Sequence, residues 1–196
     1  VPPERRIEAR SPTEVVSPPL TEGTGPLGAP AQEALPTGTV LESRFRVVRM
    51  LGRGGMGEVY EAVDVALGAR VAVKTVRLEP GSTEGRLQRF RREILLARKI
   101  SHPNVCRVFE LHLGNPGEPP LFLSMELLEG ETLAERLRRE GPLPEPVARE
   151  LVTQIASGLA AAHQEGVLHR DLKPSNVMLV PLRGGSERAV VTDFGI

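Results

Sequence analysis

The chain has 196 residues, 40% of them apolar, with 25 basic and 25 acidic side chains, no formal net charge and a pI near 7.1. That balance leaves no electrostatic footprint for nucleic acid or an anionic membrane, and no run approaches the roughly 18 apolar residues that span a bilayer. The single cysteine, Cys106, forms no internal disulfide and stands between Val105 and Val108, so a buried thiol in a cytoplasmic protein is expected.

In chain order, residues 1–43 hold eight of the 18 prolines and few large apolar side chains, the composition of a disordered linker. The chain begins at valine, which suggests a piece of something longer. From Phe45 the texture changes to β-rich runs, Phe45 to Leu51, Val59 to Val65 and Val71 to Val76, separated by glycine-containing turns. Leu87, Phe90, Ile94 and Ala97 then recur at three- and four-residue spacing and predict an amphipathic helix from Glu84 to Ile100, stopped by His102-Pro103-Asn104. Strands are expected at Val105 to Leu111 and Leu121 to Glu126, with Gly114 to Pro120 between them as a turn. Thr132 can cap a short helix ending near Glu140. Val147, Leu151, Val152, Ile155 and Leu159 trace the apolar stripe of a longer one from Pro144 to Gln164, ended by Gly166. Short strands follow at Val177 to Val180 and Ala189 to Val191. Sheet, helix, sheet and then helices make an α+β order.

Gly52-Arg53-Gly54-Gly55-Met56-Gly57 matches G-x-G-x-x-G. A dinucleotide-binding fold would open a helix here, whereas Glu58 to Val63 reads as a second strand. A hairpin laid over phosphates fits better, since glycines let backbone amides approach phosphate oxygens without a Cβ in the way. Fourteen residues past Gly57 comes Val71-Ala72-Val73-Lys74, and the strand period puts Ala72 and Lys74 on one face. Ala72 leaves room for a flat base, and Lys74 can reach α- and β-phosphates if something orients it. Glu93, at the edge of the helix's buried stripe, is the candidate partner, although a solvated helix charge is the ordinary reading of such a residue taken alone. Arg86, Arg89, Arg91 and Arg92 read as solvated surface. Only three of the 25 basic residues are lysines, Lys74, Lys99 and Lys173, and two of them lie in motifs where a compact ammonium suits a phosphate oxygen.

His169-Arg170-Asp171-Leu172-Lys173-Pro174-Ser175-Asn176 resembles the catalytic loop of eukaryotic-type (Hanks-type) serine/threonine protein kinases, whose signatures run glycine loop, strand lysine, H-R-D-L-x-x-x-N and D-F-G. All four occur in that order, ending with Asp193-Phe194-Gly195. The resemblance covers residues 44 to 196 and points to the bacterial branch, on Gly52 to Asp64 and on His102-Pro103-Asn104.

The resemblance implies a two-lobed protein-kinase-like α+β fold. Residues 44–126 would form an N-lobe of five antiparallel strands and one helix, and residues 127–196 the start of a helical C-lobe that stops before the activation segment. ATP and Mg2+ are the implied ligands, and a protein bearing a Ser or Thr hydroxyl the implied substrate. Asp171 would accept the hydroxyl proton, Lys173 would steady the γ-phosphate, Lys74 paired with Glu93 would hold the α- and β-phosphates, and Asn176 and Asp193 would ligate magnesium. Gly52, Gly54 and Gly57 would cover the phosphates. Leu51, Val59 and Met178 would wall the adenine, Met125 would guard the back of its pocket, and Glu126 to Leu128 would form the hinge. Arg170 suggests control through a phosphorylated activation loop. Lys173-Pro174-Ser175 resembles the serine/threonine class. Ala97 departs from the pattern, which usually has a bulky residue four positions after the helix glutamate, and this loosens the joint with Phe194. A non-catalytic nucleotide-binding scaffold is the alternative reading. A Rossmann-type oxidoreductase is opposed by the strand after Gly57 and by the lack of a suitably placed acid at a strand end.

Overall fold

The structure, a computed structural model, describes residues 34–54, 57–76, 84–113 and 121–194. Most of the expected N-terminal linker, the glycine-loop tip Gly55-Met56, the turn at 114–120 and Gly195 lie outside the described residues.

The first sheet contains β1 (Val40–Leu41), β2 (Phe45–Gly54), β3 (Gly57–Asp64), β4 (Ala69–Thr75), β5 (Val108–His112) and β6 (Phe122–Met125), in the spatial order β1-β2-β3-β4-β6-β5 with every neighbour antiparallel. It has six strands where five were expected. The extra strand, β1, pairs Val40 with Arg46 and Leu41 with Phe45, so the sheet begins inside the stretch read as linker. Proline counting could not show this, because one buried leucine, Leu41, is enough to dock a two-residue edge strand.

Alternation along these strands divides the sheet into two faces. Tyr60, Ala62, Val71, Val73 and Phe122 join Leu41, Phe45 and Val47 in a buried core on one face. Val59, Ala72, Lys74, Leu123 and Met125 share the other, since Val59 is opposite Lys74, Lys74 opposite Leu123, and Ala72 opposite Met125. One face therefore holds the lobe together, and the other carries Lys74.

Helix α1 (Glu84–Ala97) follows β4 and buries Ile94 and Ala97. Helix α2 (Leu133–Glu140) starts at a capping box. The Thr132 hydroxyl accepts from the Glu135 amide at 3.1 Å while the Glu135 carboxylate accepts from the Thr132 amide at 2.7 Å. Helix α3 (Glu145–Gln164) packs on a second sheet, β7 (Glu131–Thr132), β8 (Val177–Pro181) and β9 (Glu187–Val191), of which β7 was not expected. Asn104 links the lobes. Its side chain donates to Gln154 Oε1 at 3.0 Å and to the Ala189 carbonyl at 2.7 Å, and its own carbonyl accepts from the Val191 amide at 2.9 Å. Gly158 lets α3 come this close, because a Cβ there would lie 2.6 Å from the Asn104 carbonyl oxygen.

Candidate active site

Lys74, on the face of the first sheet opposite its core, meets the residues after β9, which are bonded in turn to the loop 169–176. His169 is the hub of these two segments. Its buried ring bonds the Thr192 carbonyl through Nε2 at 2.8 Å, accepts from the Asp171 amide through Nδ1 at 3.3 Å, and lies against the Phe194 ring at a centroid distance of 4.8 Å. A short 3-10 turn, Pro174–Asn176, then feeds β8. Two non-glycine residues adopt left-handed backbone here, Arg170 with φ 62° and Asp193 with φ 57°. Each costs on the order of 1–3 kcal/mol and persists only where its surroundings fix it, which is common at functional sites.

Asp171 accepts from Lys173 Nζ at 2.7 Å, and Asn176 Nδ2 donates to the Asp171 carbonyl at 2.9 Å and to its carboxylate at 3.3 Å. The Lys173 ammonium holds the Asp171 carboxyl below its ordinary range, so it is ionised at neutral pH. Because Asn176 spends its amide nitrogen on Asp171, its amide oxygen is the end left for another ligand. Lys74, 7% exposed, donates to Asp193 Oδ1 at 2.7 Å, leaving the second Asp193 oxygen for a cation. Among the described residues no three His, Cys, Asp or Glu side chains gather as a complete metal cage. The Asn176 and Asp193 oxygens are hard donors of the kind a divalent cation takes.

Lys74 was expected to pair with Glu93, and the structure gives both different partners. Glu93 accepts from Arg170 Nη1 at 2.8 Å, while Lys74 is bound to Asp193. The ammonium is almost excluded from water and takes the nearest carboxylate; Glu93, at the rim, takes the guanidinium of the neighbouring loop.

The remaining expected residues differ in their surroundings. Leu51, Gly52 and Gly54 are exposed on β2, Val59 is half-buried opposite Lys74, and Ala72 is buried. Gly57 has φ 148°, and a Cβ would fall on the Thr75 carbonyl, 2.8 Å from its carbon, so only glycine fits. Met125 lines a small cavity with Lys74, Cys106, Asp193 and Phe194. Burial, and then the neighbouring Glu126 charge, push the Cys106 thiol up to about 12, which makes it packing and not a nucleophile. The Glu126 carboxylate accepts from Arg188 Nη2 at 2.8 Å, and its backbone amide donates to the Arg107 carbonyl at 2.9 Å. Leu128 and Met178 are half-buried. Thr75 was missed: its hydroxyl accepts from the Glu58 amide at 3.0 Å and donates to the Glu58 carbonyl at 3.3 Å, tying the glycine hairpin to the lysine strand. Its place directly after Lys74 was the available signal.

Comparisons with known proteins agree with this geometry. The chain is 44% identical over 161 residues to the serine/threonine-protein kinase pkn2 of Myxococcus xanthus, covering 82% of this chain and 19% of that protein. It is 38% identical over 162 residues to the serine/threonine-protein kinase PknA of Mycobacterium tuberculosis, covering 81% of this chain and 36% of PknA. The crystal structure of the M. tuberculosis PknI kinase domain superposes with a TM-score of 0.69 at 31% identity, over 83% of this chain and 64% of that one. The chain thus spans well under half the length of these two curated relatives. Residues 45–196 match the family described as the protein kinase domain, and the chain belongs to that family.

Proposed function

We propose that this domain serves a serine/threonine protein kinase that transfers the γ-phosphoryl group of ATP to Ser or Thr hydroxyls of a protein substrate. The observation that carries the reading is one cleft holding Lys74 and Asp193 in contact, with Asp171, Lys173 and Asn176 hydrogen-bonded together beside them. In the proposed reaction the substrate hydroxyl approaches the γ-phosphorus in line. The bond from that phosphorus to the β-γ bridging oxygen breaks as the new ester bond forms, and the hydroxyl proton passes to Asp171. A carboxylate already held below its usual range by Lys173 is a weak base, so its main work is orientation, with proton acceptance late in the transfer. Lys173 also meets the γ-phosphate, Lys74 the α- and β-phosphates, and the ligand-facing side chains Val59, Ala72 and Met125 receive the base. Glu93 belongs to this set as the lysine's partner once Asp193 is engaged elsewhere. Asn176 and Asp193 would hold magnesium, which would neutralise phosphate charge when bound.

The bacterial kinase relatives support the serine/threonine assignment, and dependence on ATP with one buried thiol supports a cytoplasmic location. Among the described residues no helix is long and apolar enough to cross a membrane. A non-catalytic scaffold would not need all of Lys74, Asp171, Lys173, Asn176 and Asp193. The test is Asp171→Ala in the full-length protein, assayed by phosphate transfer from labelled ATP and by ATP calorimetry. Transfer is expected to fall by about 10² or more while ATP still binds; retained turnover would refute the role.

A further inference from the structure

Glu58 is the first residue after the glycine motif, and it is 3% exposed on the face of β3 turned away from Lys74. A carboxylate is an expensive side chain to place there, since burial is tolerated only when the charge is paired and hydrogen-bonded. Glu58 is paired twice. Arg53 Nη2 reaches Oε1 at 2.8 Å from the opposite strand of the hairpin, directly before Gly54, and the Tyr60 hydroxyl donates to Oε2. Its backbone is gripped as well by the Thr75 hydroxyl, one residue after Lys74. Tyr60 is fully buried, and its hydroxyl accepts from the Leu35 amide at 2.9 Å. Leu35 packs on the same core, and the strap it begins continues through the Gly38 amide bonded to the Val47 carbonyl at 2.8 Å and on into β1. An unbroken path therefore runs from the strap, through Tyr60 and Glu58, to the two strands that carry the glycine motif and Lys74.

We propose that Glu58 is a positioning residue that fixes the glycine hairpin over the nucleotide phosphates, and that the strap at 34–41 acts on the site through the Tyr60 hydroxyl. This rests on the ATP reading above and assigns the control of phosphate grip to residues that touch neither nucleotide nor metal. It separates two parts of binding: the hairpin height governs contact with phosphates, whereas adenine rests on Ala72, Met125 and the hinge.

The test measures ATP and adenosine affinity by calorimetry on the full-length protein and its Tyr60→Phe, Glu58→Gln, Arg53→Gln, Arg53→Lys and Leu35→Pro variants. Tyr60→Phe keeps the ring and removes the link, and Leu35→Pro removes the amide donor. ATP affinity is expected to fall about fivefold or more in Tyr60→Phe, Glu58→Gln and Leu35→Pro, while adenosine affinity stays within about twofold. Arg53→Gln should add nothing in the Glu58→Gln background, and Arg53→Lys should restore much of what Arg53→Gln loses. If Glu58→Gln fails to fold, the exposed Arg53 and the ring-preserving Tyr60→Phe still decide the matter. Parallel losses of ATP and adenosine, or no change in either, overturn the positioning role. ATP-selective loss in Tyr60→Phe without loss in Leu35→Pro overturns the strap's part. Adenosine binding by the wild type without ATP binding overturns the ATP reading itself.

Discussion

Replacing Gly57 with alanine places a carbon inside the contact envelope of the Thr75 carbonyl, 2.8 Å from its carbon and 3.3 Å from its hydroxyl oxygen. An ordinary carbon–oxygen contact is about 3.3–3.6 Å, so β3 and β4 must separate at this point by an appreciable fraction of that distance. The backbone at φ 148° adds strain of about 1–3 kcal/mol for any side chain, and separation weakens the Glu58 amide bond to Thr75, worth about 1 kcal/mol net. A total of roughly 2–4 kcal/mol lowers the melting temperature by about 5–15 °C in a domain of this size. The same displacement moves the hairpin away from Lys74, and ATP affinity should drop at least about tenfold. Gly54→Ala is the control for melting, because its Cβ would meet the Gly57 carbonyl oxygen at an ordinary 4.0 Å, and the wild type is the reference for ATP affinity. Thermal denaturation and ATP calorimetry on both variants decide the point. A Gly57→Ala protein that melts like Gly54→Ala and binds ATP like the wild type would refute the packing argument.

Gly158→Ala sets helix propensity, a gain of about 1 kcal/mol, against a Cβ 2.6 Å from the Asn104 carbonyl oxygen, a cost of about 1–3 kcal/mol; net destabilisation is expected in urea titration, and a more stable variant would count against close packing there. Lys173→Met removes the ammonium that depresses the Asp171 pKa, so the acid limb of the pH–rate profile should move to higher pH, towards an ordinary carboxylate; an unmoved limb would mean Asp171 does not govern it. A double-mutant cycle of Lys74→Met with Glu93→Gln should show coupling near zero without nucleotide and a clear term with magnesium-ATP, read as binding and melting free energies. Strong coupling in the nucleotide-free protein would contradict the observed Lys74–Asp193 pair.

What could be read in the sequence was what is local. Strand alternation placed Ala72 and Lys74 on one face, the three-and-four spacing found α1, and Thr132 marked the start of α2, whereas its capping partner Glu135 emerged only from the structure. Contacts that depend on which of several charges arrives first could not be read in this way. Glu93 and Asp193 are both plausible partners for a buried lysine, and Arg170, next to Asp171, competes for the first of them. Glu58 was hidden for a different reason. Alternation puts it on the inner face with Tyr60, where a polar residue looks like a lapse in a pattern until Arg53 and Tyr60 are seen to satisfy it. The strand β1 and the Leu35 anchor lay within a proline-rich stretch whose average composition masks a few buried side chains.

The observed pairing also constrains how the cleft must respond to ligand. The Lys74 side chain is 9% exposed and would leave an uncompensated charge if Asp193 simply withdrew, a loss of several kcal/mol. The Arg170–Glu93 pair is different: its guanidinium side is 61% exposed, and such a pair contributes about 1 kcal/mol or less. The weak link is therefore on the α1 side. If a divalent cation took the Asp193 carboxylate, as the proposed function requires, Lys74 would need new negative charge, which nucleotide phosphates and a released Glu93 could both provide. The small Ala97 packs in the cavity beside Phe194, where a bulkier residue would tie α1 to its present position. Movement of α1 towards Lys74 would break the exposed Arg170–Glu93 pair and shift the buried Ile94, so under the proposed ATP reading the binding of cation and nucleotide at Asp193 would have to supply that energy.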